Sequence, residues 1–127
     1  YQPTRNACTR LAVVDPERSV FFDAYRDRKR CHRLPHGSRI EGIGRPIVEA
    51  SFLPETIDRM VKVPDALSLA AMRVLAGLLG RRVGGSTGTN FIGALQVMAE
   101  MKAAGETGAV VTLICDGGER YLDTYYD

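Results

Sequence analysis

The segment Gly84–Asn90 (GGSTGTN) combines residue types that can bind a small polar molecule. Its glycines permit tight backbone geometry and close approach of a ligand. Ser86 and Thr87 place hydroxyl groups where a helix is about to begin. A helix N-terminus presents free backbone N–H groups and a partial positive charge, which suits an anion or a hydrogen-bond acceptor. The simpler alternative, with at least equal weight, is that one of these two residues only caps the helix.

Two further polar, glycine-containing segments are Glu41–Arg45 (EGIGR) and Cys115–Glu119 (CDGGE). In an open α/β sheet, ligands bind beyond the carboxyl ends of the strands, so we expect these segments and Gly84–Asn90 to converge there. Neither glycine motif is a known nucleotide signature. GGSTGTN lacks the Lys-Ser/Thr of a phosphate-binding loop, and GIG alone is too short for a dinucleotide fingerprint.

The elements that must position these segments are visible in the apolar pattern. Strands are predicted over Thr9–Val14, Met60–Val63 and Ala109–Ile114, the first and last of them buried and parallel. Helices are predicted over Ser19–Arg26, from Pro64 to a stop at Gly80, and from Ser86 through Ala104. Alternating strands and helices indicate an α/β fold, with a mostly parallel sheet and helices on both faces.

The apolar positions of the two longer helices are predicted to form the core. They are Leu67, Ala70, Ala71, Val74, Leu75 and Leu78 in the first, and Phe91, Leu95, Met98 and Met101 in the second. Cys115 follows an apolar run, so we interpret it as a small buried packing residue rather than a nucleophile.

Composition limits the classes of partner. The 127 residues are 45% apolar and 25% charged, as in an ordinary soluble domain, and the net charge of +2 argues against a nucleic-acid or membrane partner. The basic run Arg26–Arg33 contains Asp27 and is interpreted as a solvated face rather than an anion site. No apolar run approaches the roughly 20 residues of a membrane span, and the polar start lacks a signal-peptide pattern. A cytoplasmic location is the expectation.

Metal and disulfide sites are not expected. The three cysteines, Cys8, Cys31 and Cys115, are an odd number without CxxC spacing, which argues against a disulfide frame or a zinc site. His32 and His36 flank a proline loop with no carboxylate or cysteine at ligand spacing, so we interpret them as loop surface.

Three motifs in order carry a resemblance to a known family. GIG (Gly42–Gly44), GSTG (Gly85–Gly88) and GERYLDT (Gly118–Thr124) resemble the C-terminal part of the cysteine synthase and cystathionine β-synthase family. Each motif alone is weak, but the ordered set covers nearly the whole chain. The resemblance implies a fold-type II, tryptophan synthase β-like fold, pyridoxal 5'-phosphate as cofactor, a small amino-acid substrate and a homodimer of the intact protein.

The resemblance also implies roles for two residues. Ser86 would be the partner of the cofactor's pyridine nitrogen, and Gly42 would lie beside the bound amino acid. A neutral hydroxyl can donate to an unprotonated ring nitrogen, which makes the ring a weaker electron sink and suits loss of a group from Cβ. The implied reaction is β-replacement or β-elimination, with cysteine synthase first and L-cysteine desulfhydrase second. The rival from another class is a non-catalytic α/β domain that binds a nucleotide or anion at Gly84–Asn90.

The family's other site elements have no match in this sequence. Its members form a Schiff base with a lysine near the N-terminus and hold the phosphate on a Gly/Thr loop, and none of Lys29, Lys62 and Lys102 fits that lysine motif. No catalytic residue is therefore assigned here. We expect residues 1–127 to be the C-terminal part of a catalytic domain, inactive alone, with Tyr1–Asn6 as the tail of an earlier element and the lysine and phosphate loop upstream.

The chain departs from the usual synthases after GIG. They continue with a compact Ala-Gly-Phe-type segment, whereas this sequence continues with Arg45-Pro46 and a longer stretch. Arg45 is expected either to meet an anionic substrate group or to form a surface ion pair.

Overall fold

The computed structural model describes residues 9–30 and 32–127. Cys8, Cys31 and the tail predicted over Tyr1–Asn6 lie outside these ranges, so the structure leaves the predictions about them as they stand.

Within the described residues, five regular elements form in the order strand, helix, strand, helix, helix. They are β1 (Ala12–Pro16), α1 (Phe21–Arg26), β2 (Arg59–Val63), α2 (Asp65–Leu79) and α3 (Gly85–Ala103). Short 3₁₀ turns cover Pro54–Thr56 and Glu119–Tyr121. The predicted helices are confirmed to within two residues, and β1 lies two to three residues later than predicted. None of the helices within the described ranges is long and apolar enough to cross a membrane.

The sheet pairs β1 and β2 in parallel, with Val14 opposite Val61 and Asp15 opposite Lys62. Val14 packs against α3 at Gly93, where an added Cβ would lie 2.9 Å from the Val14 Cγ1 atom. The next side chain, Asp15, accepts a hydrogen bond from the Phe22 N–H of α1 at 2.9 Å. Because successive side chains of a strand point to opposite faces, α3 and α1 cover opposite faces of the sheet. The predicted α/β class, with a parallel sheet and helices on both faces, is confirmed.

Helices α2 and α3 cross in close backbone contact at Gly88. An added Cβ at Gly88 would collide with the Ser68 carbonyl oxygen and lie 2.9 Å from the Met72 nitrogen. The Thr89 hydroxyl donates to the Ser68 hydroxyl at 2.8 Å, and both residues are fully buried. The crossing therefore depends on small side chains and one buried hydrogen bond.

This packing contradicts part of the predicted core. The large apolar residues Leu67, Val74, Leu78, Leu95 and Met98 are exposed, up to 74% for Leu78. The helices instead bury smaller neighbours, among them Ser68, Gly88, Gly93 and Ala94, while Ala71 is buried as predicted. The prediction was wrong for these large residues because a close helix crossing selects the glycine-bearing face rather than the face with most apolar volume.

The predicted buried strand over Ala109–Ile114 does not form. The segment has no regular secondary structure, and Val111 and Leu113 are 89% and 72% exposed. No backbone–backbone hydrogen bond joins it to another described segment. Its nearest polar contact is the Asn90 side-chain amide, which donates to the Leu113 carbonyl at 3.3 Å. A strand needs a paired neighbour, and the described residues supply none at this position.

The helix crossing leads to a stability prediction. Gly88→Ala should lower the free energy of unfolding by about 1 to 3 kcal/mol, because the new methyl group would overlap the α2 backbone. Gly77→Ala is the matched control, since a Cβ there meets nothing within 4 Å. That change should raise the free energy of unfolding by about 0.5 to 1 kcal/mol, the usual gain for alanine in a helix. Urea unfolding of both variants measures this, and equal effects would contradict the proposed collision.

Candidate functional site

The N-terminus of α3 is built without a side-chain cap. Gly84 is the capping residue, in an extended conformation, and its carbonyl accepts the N–H groups of Thr87 at 3.1 Å and Gly88 at 3.3 Å. Ser86 and Thr87 therefore lie inside the first turn. The alternative in which either residue merely caps the helix is wrong, because the backbone of Gly84 occupies that position.

The three hydroxyl groups of this turn have different partners. Thr87 accepts a hydrogen bond from the Cys115 N–H at 3.0 Å. The Thr89 hydroxyl donates to the Ser68 hydroxyl at 2.8 Å, and its oxygen also lies 3.2 Å from the Gly85 carbonyl oxygen. The Ser86 hydroxyl makes no hydrogen bond with any of the described residues; Ser86 is 9% exposed, and its oxygen keeps some contact with solvent. Because the hydroxyls of Thr87 and Thr89 already have protein partners, Ser86 is the residue at this helix start whose hydroxyl is free to bind a ligand.

The segment after Ala109–Ile114 lies against the helix start. The Gly84 N–H donates to the Asp116 carbonyl at 3.2 Å, and the Asp116 carboxylate covers Gly84 so closely that a Cβ there would collide with it. One carboxylate oxygen accepts the Tyr121 hydroxyl at 2.7 Å, while the other is buried without a partner among the described residues. Cys115 is exposed, so its prediction as a buried packing residue is wrong, because the apolar run before it is itself uncovered.

The loop of residues 38–44, called the Gly42 loop below, also lies against the start of α3. Gly42 has φ +85° with open space around it, and the Ile43 N–H closes a turn onto the Ile40 carbonyl at 3.4 Å. Ile40 is 1% exposed and lies against Gly85, where an added Cβ would be 3.2 Å from its Cγ2 atom. The structure thus brings the loop that contains Gly42 into contact with the residue next to Ser86.

Two anchors hold this loop over the ends of the strands. At the end of β1, Pro16 packs under Gly44, where a Cβ would lie 2.7 Å from the Pro16 Cγ atom. Just after β2, the buried Asp65 carboxylate accepts the Ser38 hydroxyl at 2.9 Å and the Arg39 N–H at 3.0 Å. The convergence of the three segments at the carboxyl ends of the strands is confirmed.

Charged groups at the rim form ion pairs. Arg45 pairs with Glu49 at 3.3 Å with both side chains partly exposed, which is the surface ion pair considered for Arg45. Glu41 pairs with Arg120 at 2.9 Å and so links the Gly42 loop to the C-terminal segment. Among the described residues, no group of three His, Cys, Asp or Glu side chains is placed to hold a metal ion.

Two buried ionisable side chains near the site, Asp15 and Tyr121, have raised pKa values. Burial raises the pKa of Asp15 above its ordinary range, against hydrogen bonds from Ser19 and the Phe22 N–H. Burial also raises the pKa of Tyr121 to about 12, with the hydrogen bond to Asp116 and the charge of Asp116 adding to the effect. Sequence reasoning missed the tyrosines of the C-terminal segment. Their clustering, with Tyr121 inside GERYLDT and Tyr125 and Tyr126 directly after it, was the signal available.

Comparison with known proteins identifies relatives of this chain. A protein-family model described as "Pyridoxal-phosphate dependent enzyme" matches residues 2–116. The chain is 58% identical over 122 residues to L-cysteine desulfhydrase Cds1 of Mycobacterium tuberculosis, which covers 96% of this chain and 33% of that protein. It is 44% identical over 126 residues to a putative cysteine synthase of Sinorhizobium fredii, with 96% and 34% covered. The chain spans about a third of the length of these curated relatives.

Solved structures share the fold of this chain. The O-acetylserine dependent cystathionine β-synthase of Helicobacter pylori matches with a TM-score of 0.70 and 30% identity, over 91% of this chain and 34% of that one. A hydrogen sulfide-producing enzyme of Fusobacterium nucleatum matches with a TM-score of 0.72 and 27% identity, over 91% and 31%.

The environment of Tyr121 leads to a titration prediction. Asp116→Asn should lower the pKa of Tyr121, because it removes the negative charge and the charged hydrogen-bond acceptor. Glu41→Gln is the control, since the Glu41 charge is a smaller cause of the same shift. Phenolate absorbance titration, with Tyr121→Phe to assign the signal, measures both. A pKa left unchanged by Asp116→Asn would show that burial alone determines it.

The same shift gives the pH dependence of stability. A tyrosine whose pKa is higher in the folded protein stabilises the fold below its ordinary value of 10. That contribution should be lost as pH rises from 10 to about 12, and the loss should occur at lower pH in Asp116→Asn.

Proposed function

Because this chain belongs to the family of pyridoxal-phosphate dependent enzymes, we propose that it forms the pyridine-binding part of a larger enzyme acting at Cβ of cysteine or an activated serine. The observation that carries the proposal is the Ser86 hydroxyl, which lies in the first turn of α3, is accessible at a mostly buried residue, and has no hydrogen-bond partner among the described residues. Its position matches the role that the motif resemblance implies for it.

The residues at the helix start fit the pyridine end of the cofactor. The Ser86 hydroxyl would donate to the ring nitrogen, and the partial positive charge of the helix N-terminus disfavours protonation of that nitrogen. Pyridoxal phosphate, when bound, supplies an electron sink for bond cleavage at Cβ. The open space and positive φ at Gly42 leave room for an amino acid to lie against the loop backbone.

The covalent and phosphate contacts are proposed to come from residues outside this sequence. Lys62 pairs with Asp23 of α1 at 3.1 Å, and Lys29 lies in an exposed turn. Lys102 is 16 residues along α3 from Ser86, which separates their Cα atoms by about 24 Å. Lys62 is thus engaged with α1, and Lys102 lies at the far end of α3 from Ser86. The resemblance further supports a homodimer as the intact form, and the cysteine pattern of the sequence favours a cytoplasmic location.

Two reactions share this site chemistry. The 58% identity to a desulfhydrase favours release of sulfide from cysteine, with pyruvate and ammonia as the other products. The 44% identity to a putative cysteine synthase supports cysteine synthesis from an activated serine and sulfide as the second candidate. Both begin with loss of the Cβ substituent, and they differ in whether a second nucleophile then adds at Cβ. The Gly42 loop, with glycines at positive φ on both sides of Ile43, can adjust the access of that nucleophile and of water.

Substitution of Ser86 tests the assignment of the ring-nitrogen partner. Ser86→Ala in the full-length protein should leave the cofactor bound, alter its absorbance and slow turnover by about tenfold, the value of one hydrogen bond. Ser86→Asp should protonate the ring nitrogen and increase side reactions. Ser51→Ala, at an exposed serine, is the control and should change neither property. Unchanged absorbance and turnover in Ser86→Ala would remove Ser86 from the site.

Separate substrates test the choice of reaction. Purified full-length protein is given cysteine alone, or O-acetylserine with sulfide, and then sulfide, pyruvate and cysteine are followed. We expect a visible cofactor band and sulfide release from cysteine at a rate comparable to or above that of cysteine formation. Cysteine formation without sulfide release would favour the synthase. A protein without the cofactor band would instead support the non-catalytic anion-binding alternative.

A further inference from the structure

The Tyr125 hydroxyl binds the backbone of the Gly42 loop on both sides of one residue. It donates to the Arg39 carbonyl at 2.7 Å and accepts the Glu41 N–H at 3.0 Å. Ile40, between these two residues, begins the turn that contains Gly42. One hydroxyl group therefore restrains the start of the turn that lies at the proposed substrate position.

The next residue makes the corresponding contact at the helix start. The Tyr126 hydroxyl donates to the Val83 carbonyl at 2.8 Å and accepts the Val83 N–H at 3.0 Å. Val83 is fully buried and directly precedes Gly84, the capping residue of α3. Two consecutive tyrosines thus attach one short segment to both halves of the site.

The tyrosine segment is itself held in place. Arg73 of α2 donates from Nε to the Tyr125 carbonyl and from a terminal nitrogen to the Asp127 carbonyl, both at 2.9 Å. The Tyr121 and Tyr125 rings stack with centroids 4.9 Å apart. The Tyr125 ring also lies against Gly85, where a Cβ would be 3.3 Å from its Cε2 atom. The segment is therefore anchored to α2 and packs beside Ser86.

We propose that the Tyr125–Tyr126 pair is a brace that sets the spacing between the Gly42 loop and the Ser86 turn. Tyr125 is then a positioning residue for the amino-acid substrate, and Tyr126 is a positioning residue for the cofactor end of the site. The proposal rests on the function proposed above. Two hydrogen bonds from each hydroxyl to backbone groups fix the direction of the loop and of the helix start, which apolar packing alone does not do.

The test uses Tyr125→Phe and Tyr126→Phe in the full-length holoenzyme. Each variant removes two hydrogen bonds from the same segment and keeps the ring. Tyr125→Phe should raise KM for the amino acid about three- to tenfold, with kcat and cofactor absorbance nearly unchanged. Tyr126→Phe should shift the cofactor absorbance and weaken cofactor binding. Tyr25→Phe is the control, because the Tyr25 hydroxyl donates to the Asp58 carbonyl away from the site, and it should do neither.

Equal changes in KM and absorbance from both variants, or no change from either, would overturn the brace.

Amide hydrogen exchange measures whether each tyrosine hydroxyl holds its backbone partner, without any assay of activity. In the wild-type protein the Glu41 and Val83 amides should be protected, and each should exchange faster only in the variant that removes its own tyrosine hydroxyl. Fast exchange of both amides in the wild type contradicts the brace even if the enzyme is active. Protected amides in a protein without cofactor or turnover would contradict the proposed function instead.

Discussion

The close contact between Gly88 of α3 and the Ser68 backbone of α2 is the constraint on which the site depends. It places the first turn of α3 beside the first turns of α2, and the buried Thr89–Ser68 hydrogen bond fixes the two helices in register. Because α2 begins immediately after β2, the crossing also ties the Ser86 turn to the ends of the strands. A larger residue at position 88 would separate these parts.

Directional polar contacts to backbone groups, more than apolar packing, hold the loops around this crossing. Asp65 binds the loop before Gly42, Thr87 binds the segment at Cys115, and the tyrosine hydroxyls bind Arg39, Glu41 and Val83. Hydrogen bonds depend on direction as well as distance, so such contacts define loop conformation more narrowly than contacts between side-chain methyl groups. Among the described residues, one buried side-chain oxygen, that of Asp116, has no partner, and it lies beside the helix start where the accessible Ser86 hydroxyl is also unpaired, so both indicate where a ligand belongs.

Sequence reasoning worked best where the signal was local. Pro64 before α2, Asp65 at its first position, the left-handed Gly80 after it and the glycine-rich start of α3 predicted both long helices, and the order of the motifs predicted the family. It was wrong about burial. Leu78 and Met98 have the spacing of core residues but are exposed, and the apolar run Ala109–Ile114 remains unpaired among the described residues. Spacing shows which residues share a face, but it does not show which face a neighbour covers.

The sequence by itself determined the types of the main elements, the α/β class and the chemistry available at Ser86 and Gly42, because backbone preferences and side-chain functional groups are properties of short segments. Only the tertiary structure decided which helix faces are buried and which hydroxyl groups are already used. The Tyr125 hydroxyl binds Glu41 and Arg39, which precede it in the chain by 84 and 86 positions. A partner at that separation is selected by the packing of α2 against α3 and of the C-terminal segment against both the loop and the helix start, and no local pattern encodes it.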